Sequence, residues 1–142
     1  MPRNNRIRLW AACFWAGCAY GGVVYLIGFA LGAVRVLVLV PRLGATVSVL
    51  LESPLILSAS WLLSKAVVKR FEVPEQIAAR ALMGATAFAV LMSGEFAVFV
   101  FVFGKPWSTF RWSFATVPGA IGFAAQLAFA MFPVLQAKRS NR

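Results

Sequence analysis

Four apolar runs, each longer than the ~20 residues that a helix needs to cross a hydrocarbon core, constrain this chain more than any other feature. They cover residues 9–40, 46–68, 81–103 and 113–136. Hydrophobic residues make up 61% of the chain, whereas a soluble domain is nearer ~45–50%. The runs therefore predict an all-α integral membrane protein, with one four-transmembrane-helix bundle formed by residues 1–142.

The first run is too long for a simple crossing. As one helix, residues 9–40 would measure ~48 Å, against a hydrocarbon core of ~30 Å. The run must tilt, protrude or break near Gly32, and the alternating Val and Leu at 36–40 are compatible with an interfacial or re-entrant segment. One long helix and a helix followed by a re-entrant segment both remain open. A cleaved signal peptide fits less well, because its apolar core usually has only ~7–15 residues.

The basic residues predict the orientation of the bundle. The net charge is +10, but Lys and Arg lie at or near the ends of the apolar runs, which is typical of anchoring to anionic lipid rather than of binding nucleic acid. With four spans, one side carries Arg35, Arg42, Lys105 and Arg111. The other side carries ten basic residues, namely Arg3, Arg6, Arg8, Lys65, Lys69, Arg70, Arg80, Lys138, Arg139 and Arg142. The positive-inside rule then places both termini in the cytoplasm.

Two carboxylates interrupt the apolar runs, Glu52 in the second and Glu95 in the third. A carboxylate in hydrocarbon costs several kcal/mol unless it is protonated, paired or wetted. Counting along the helices places them ~10 and ~13 Å below the outer boundary, with Arg35 near that boundary and Gln126 near the midplane. We therefore predict an intramembrane polar cluster of Arg35, Glu52, Glu95 and Gln126.

The predicted cluster has three interpretations. It locks the helices together, since removing one partner would leave a charge uncompensated. Alternatively, Arg35 pairs with one carboxylate while the other stays protonated, which makes a proton-binding pair. In the third interpretation Arg35 snorkels to the outer headgroups without a partner.

Small residues recur at helical spacing in two of the runs and predict close helix packing. Gly17, Gly21, Gly28 and Gly32 share one face of the first helix. Gly119 and Gly122 form a similar stripe with Gln126 on the fourth. Whether the first stripe faces a neighbour in the same chain or another protomer remains open.

The residue types speak against metal, cofactor and catalytic sites. The chain has no histidine, the commonest ligand for haem, zinc and copper and the commonest general base. Cys13 and Cys18 point to different faces of one helix, so neither a shared metal nor a disulfide between them is expected. We predict no cofactor, no metal and no catalytic residue.

Several short motifs together resemble a group of small, uncharacterised four-helix bacterial inner-membrane proteins. They are Gly28 to Gly32 leading to Arg35, Pro41 to Gly44, Glu52 and Pro54, Met83-Gly84 leading to Glu95, and Pro118-Gly119 before Gln126. The resemblance implies a multi-pass protein of the bacterial inner (cytoplasmic) membrane and brings no activity with it. The chain is also similar in size and helix number to small multidrug-resistance transporters. Those carry an essential carboxylate in the first helix, where this chain has none.

The expected function is non-enzymatic: an accessory, assembly or structural subunit of a larger membrane complex, or a homo-oligomer. Its partners would be the lipid bilayer and other membrane subunits or itself, without nucleic acid. The alternative is a small proton- or cation-coupled transporter acting as a dimer, with Glu52 and Glu95 as its proton sites. A membrane enzyme is third, because few residues outside the bilayer could carry out hydrolysis.

Overall fold

The structure, a computed structural model, describes residues 3–140, with side chains described from residue 5 to 137. This part of the chain is helical and contains no strand. Its helices are α1 (Arg3–Val34), α2 (Val40–Leu43), α3 (Ala45–Arg70), α4 (Ile77–Ala97), α5 (Trp107–Ser113) and α6 (Val117–Ser140). Two π-helical turns, Arg35–Leu39 and Val98–Val102, extend α1 and α4.

Four of the described helices are long and apolar enough to cross a membrane. The spans are Asn5–Leu43, Ala45–Arg70, Ile77–Val102 and Val117–Ala137. The prediction of four spanning helices is confirmed, with boundaries that differ by a few residues. The fourth span begins later than expected because α5 ends at Ser113 and residues 114–116 form a turn before α6. Four of the basic residues that predict the orientation, Arg3, Lys138, Arg139 and Arg142, have side chains outside the described part.

The first apolar run remains helical instead of breaking near Gly32. It continues through the π-helical turn Arg35–Leu39 into α2 and ends at Gly44, whose φ of 79° reverses the chain toward α3. A proline cannot donate the helical hydrogen bond and crowds the preceding turn. A wider π turn immediately before Pro41 relieves that crowding. The re-entrant alternative is therefore excluded, and the run is one long helix with a π-helical turn.

The spanning helices form a four-membered ring in the order α1, α3, α6, α4. Contacts join α1 to α4 and α3, and join α6 to α3 and α4. Side chains in the centre are small, aliphatic or aromatic, including Cys13, Ala16, Tyr20, Met83 and Phe129. The Tyr20 hydroxyl donates across the ring to the Phe129 carbonyl at 3.1 Å, which joins α1 to α6.

Close helix contacts occur at some of the predicted glycines. A Cβ at Gly17 would lie 2.7 Å from the Met83 carbonyl oxygen, and one at Gly21 would lie 2.5 Å from that of Ala87. These two glycines therefore let α1 approach α4. Gly84, which lies outside the predicted glycine stripes, has the same role toward α6, since its Cβ would overlap the Ala130 carbonyl oxygen.

The other predicted glycines are not at close helix contacts within this chain. A Cβ at Gly28 would make an ordinary contact of 3.9 Å with Ile56, and one at Gly32 would meet only Arg35 of its own run. Gly119, in the first turn of α6, is crowded by the carbonyl of Ser113, the last residue of α5, and a Cβ at Gly122 would meet no atom within 4 Å. The small-residue stripes in the sequence therefore extend beyond the surfaces at which these helices pack closely.

Candidate functional site

The first half of the candidate site is an ion pair between Arg35 and Glu52. The Nε of Arg35 lies 2.7 Å from Glu52 Oε2, with the two side chains 32% and 15% exposed. The Nε–H of Arg35 does not point closely enough toward this oxygen to form a hydrogen bond. The contact is therefore an ion pair without a hydrogen bond at Nε. Arg35 is the first residue of the π-helical turn, and the pair ties this turn to α3.

The second half joins α4 to α6. Gln126 Nε2 donates to Glu95 Oε1 at 2.7 Å. The other end of the amide, Gln126 Oε1, is buried and receives no hydrogen bond. An amide beside a carboxyl can form two hydrogen bonds only when the carboxyl carries a proton, because a carboxylate is an acceptor only.

The two halves belong to one electrostatic neighbourhood. Arg35 and Glu52 are both close enough to Glu95 for their charges to act on it. The structure therefore joins the four residues of the predicted polar cluster as two pairs that lie within range of each other's charge. Arg35 pairs with Glu52 instead of lying between both carboxylates, and Gln126 pairs with Glu95.

Other polar contacts between helices were not predicted. Gln136 donates to the Trp61 carbonyl at 3.0 Å, and its Oε1 accepts from the Ser64 hydroxyl at 2.9 Å. The Tyr25 hydroxyl donates to the Gly94 carbonyl at 3.1 Å. The available signal was a polar or phenolic side chain at helical spacing from small residues, such as Ser60 and Ser64 on α3.

Arg80 also differs from its expected environment at a membrane interface. It is 6% exposed, and its Nε donates to the Pro74 carbonyl at 2.9 Å. The charge of Glu75 acts on it as well. Arg80 thus holds the α3–α4 connection against α4. In this connection Glu72 adopts a positive φ of 51°, a conformation uncommon for residues other than glycine.

The part of the chain that the structure describes contains no candidate metal centre. No group of three or more His, Cys, Asp or Glu side chains lies together there. Cys13 and Cys18 are both free thiols. What the polar cluster offers is a guanidinium, two carboxyl groups and an amide, which can hold helices together or bind a proton or a cation.

Comparison with protein-family models, with curated proteins and with solved structures gives no significant match.

Proposed function

We propose that this chain is a non-enzymatic multi-pass protein of the bacterial inner membrane, with both termini cytoplasmic. It serves as an accessory, assembly or structural subunit of a larger membrane complex, or as a homo-oligomer. The observation that supports this role is the pairing within the polar cluster. Arg35–Glu52 joins α1 and its extension to α3, and Glu95–Gln126 joins α4 to α6. Polar side chains used in this way hold helices in place.

The proposal is tested by identifying the assembly in which the chain is purified. The full-length chain, with an affinity tag, is purified from its own membranes in a mild detergent and analysed by native mass spectrometry. We expect it within a larger assembly, and we expect Glu95→Ala to weaken that assembly. Glu72→Gln is the matched control, because Glu72 is an exposed carboxylate outside the spans. Recovery as a lone monomer would contradict the proposal.

The second candidate is a small proton- or cation-coupled transporter acting as a dimer, with Glu52 and Glu95 as proton sites. The buried and unpartnered Gln126 Oε1 favours it. A proton on Glu95 would give this oxygen a donor, and loss of that proton would remove it. Such a pair changes its hydrogen bonding when one proton is bound or released.

Glu95→Gln separates the two candidates. Glutamine keeps the size of the side chain and supplies both a donor and an acceptor toward Gln126. A transporter therefore retains its thermal stability and loses a proton-coupled flux, measured with a pH-sensitive dye in proteoliposomes. Glu72→Gln should leave that flux unchanged. A wild-type chain that shows no flux under a proton gradient, together with its recovery in a larger assembly, would eliminate the transporter.

A further inference from the structure

A groove on the outer surface of the bundle lies between α3 and α6. Its volume is about 420 Å³, and it is lined by Leu57, Ser58, Trp61, Leu62 and Phe132. The Trp61 and Phe132 rings meet edge to face with centroids 5.2 Å apart. The Gln136 hydrogen bonds to Trp61 and Ser64 hold the two helices together at this level. The groove is therefore a shallow, open and mostly apolar surface on spanning helices.

Positive charge stands at one end of this groove. The Lys65 ammonium lies over the Trp61 ring, 5.4 Å from its centroid, so it sits beside a residue that lines the groove. Lys69 follows one turn later on the same face of α3 and is exposed. Arg70 is also exposed, but it lies about 180° around the helix from Trp61. The groove thus has an apolar body and a cationic end formed by Lys65 and Lys69.

The chain cannot neutralise this charge from its own acids. It has four carboxylate side chains for fourteen Lys and Arg. Two of them are engaged elsewhere, Glu52 with Arg35 and Glu95 with Gln126. The charge of a third, Glu75, acts on Arg80. The fourth, Glu72, is exposed and can match only one of them, so most of the basic side chains need anions from outside the chain.

We propose that this groove binds one anionic glycerophospholipid. An acyl chain lies along Leu57, Leu62 and Phe132, and the phosphate faces Lys65 and Lys69. A free phosphate would satisfy the two ammonium groups and leave the apolar body unused. A second copy of this chain would bring the same two ammonium groups and no carboxylate to match them. A lipid supplies both an apolar chain and a negative charge, in the order in which the groove presents them.

The test measures lipid binding to the full chain in detergent. Purified protein is titrated with palmitoyl-oleoyl phosphatidylglycerol and, separately, with phosphatidylcholine of the same acyl chains, and bound lipid is counted by native mass spectrometry. We expect one phosphatidylglycerol to bind preferentially. Lys65→Gln with Lys69→Gln should weaken its binding by about thirtyfold, since each of the two basic residues contributes about 1 kcal/mol near anionic lipid. Arg70→Gln is the matched control and should bind as the wild type does.

Two further variants separate charge from shape. Lys65→Arg keeps the charge and should retain binding. Ser58→Phe fills the groove with both lysines in place and should reduce binding as strongly as the double charge variant. Circular dichroism checks that each variant keeps its helix content.

The following outcomes would overturn the proposal. Equal retention of phosphatidylcholine would show that the charge has no role. Displacement of the bound lipid by glycerol 3-phosphate would show that the site takes a free phosphate. A dimer that Ser58→Phe dissociates would show that a second copy covers the groove. An equal loss in Arg70→Gln would show only general attraction to net charge.

Discussion

Arg35 and Glu52 show how partly exposed charges can act between membrane helices. Their atoms approach to 2.7 Å, yet about a third of the Arg35 side chain stays exposed. Partial exposure reduces the cost of bringing the charges together and also weakens their attraction. The net contribution of the pair is the difference between these two reduced effects, on the order of 1 kcal/mol.

A double-mutant cycle measures this pair. Arg35→Met and Glu52→Met should each destabilise the protein, by about 1–3 kcal/mol, because each leaves a charge without its partner. The double variant should lose less than the sum, with a coupling energy of about 1 kcal/mol. Unfolding in mixed micelles of mild detergent and dodecyl sulfate provides the measurement. Strict additivity, or an equal loss in the exposed control Arg42→Met, would refute the pairing as a source of stability.

The sequence does not predict which of the two carboxylates pairs with Arg35. Counting residues along regular helices puts Glu52 and Glu95 at similar depth, so Arg35 had two possible partners. The structure has a π-helical turn that begins at Arg35 and pairs Arg35 with Glu52, and counting along regular helices does not include such a turn. Nothing in the hydropathy pattern signals that turn except Pro41, six residues later.

Among the elements, α1, α4 and α6 approach closely because glycines leave room for the backbone of a neighbour. Gly21 of α1 faces Ala87 of α4, and Gly84 of α4 faces the Ala130 carbonyl of α6. In lipid, where the hydrophobic effect does not drive helix association, such contacts gain stability from dispersion and close packing. Helix α4 therefore uses glycine contacts on two sides.

Adding a methyl group at these contacts should separate the helices. Gly84→Ala and Gly21→Ala each force the neighbouring backbone to move, so we expect losses of about 1–3 kcal/mol in the free energy of unfolding. Gly122→Ala is the control, because a Cβ there meets no atom within 4 Å; it should be neutral or slightly stabilising, given the higher helix propensity of alanine. Equal behaviour of Gly84→Ala and Gly122→Ala in a thermal unfolding assay would contradict the packing.

The spanning elements themselves were predictable, because ~20 consecutive apolar residues have few other folds available. The residues at which these helices begin and end were less predictable. The segment 107–113 forms its own short helix, α5, and α6 starts only at Val117. Trp, Ser and Thr in that segment have weak helix propensity and give no clear start signal. Close contacts such as the one at Gly84 require knowing which helices are neighbours, and a single sequence does not contain that information.

At the scale of the whole molecule, the even number of spans and the distribution of basic residues determine the expected topology. Four described helices are long enough to cross, so both termini should lie on one side. The α3–α4 connection, between Arg70 and Ile77, should lie on that same side. An excess of basic residues marks the cytoplasmic face.

Reporter fusions check this topology. Green fluorescent protein at either end of the chain should fluoresce, and alkaline phosphatase at either end should be inactive, since both termini are expected in the cytoplasm. A phosphatase inserted in the connection 103–106 should be active, which makes it the positive control. Active phosphatase at one terminus alone would mean an odd number of crossings.

The unbroken first span has a consequence for the membrane around it. Its 39 residues extend to ~58 Å, whereas a helix tilted by ~40°, the upper end of the usual range, needs only about 26 residues to cross ~30 Å of hydrocarbon. Roughly a third of the helix must therefore occupy the headgroup layers. Leu37, near its far end, is 77% exposed, so apolar surface meets polar lipid there. A span longer than the hydrocarbon core is better matched by a thicker bilayer, so we expect the chain to partition toward thicker membranes.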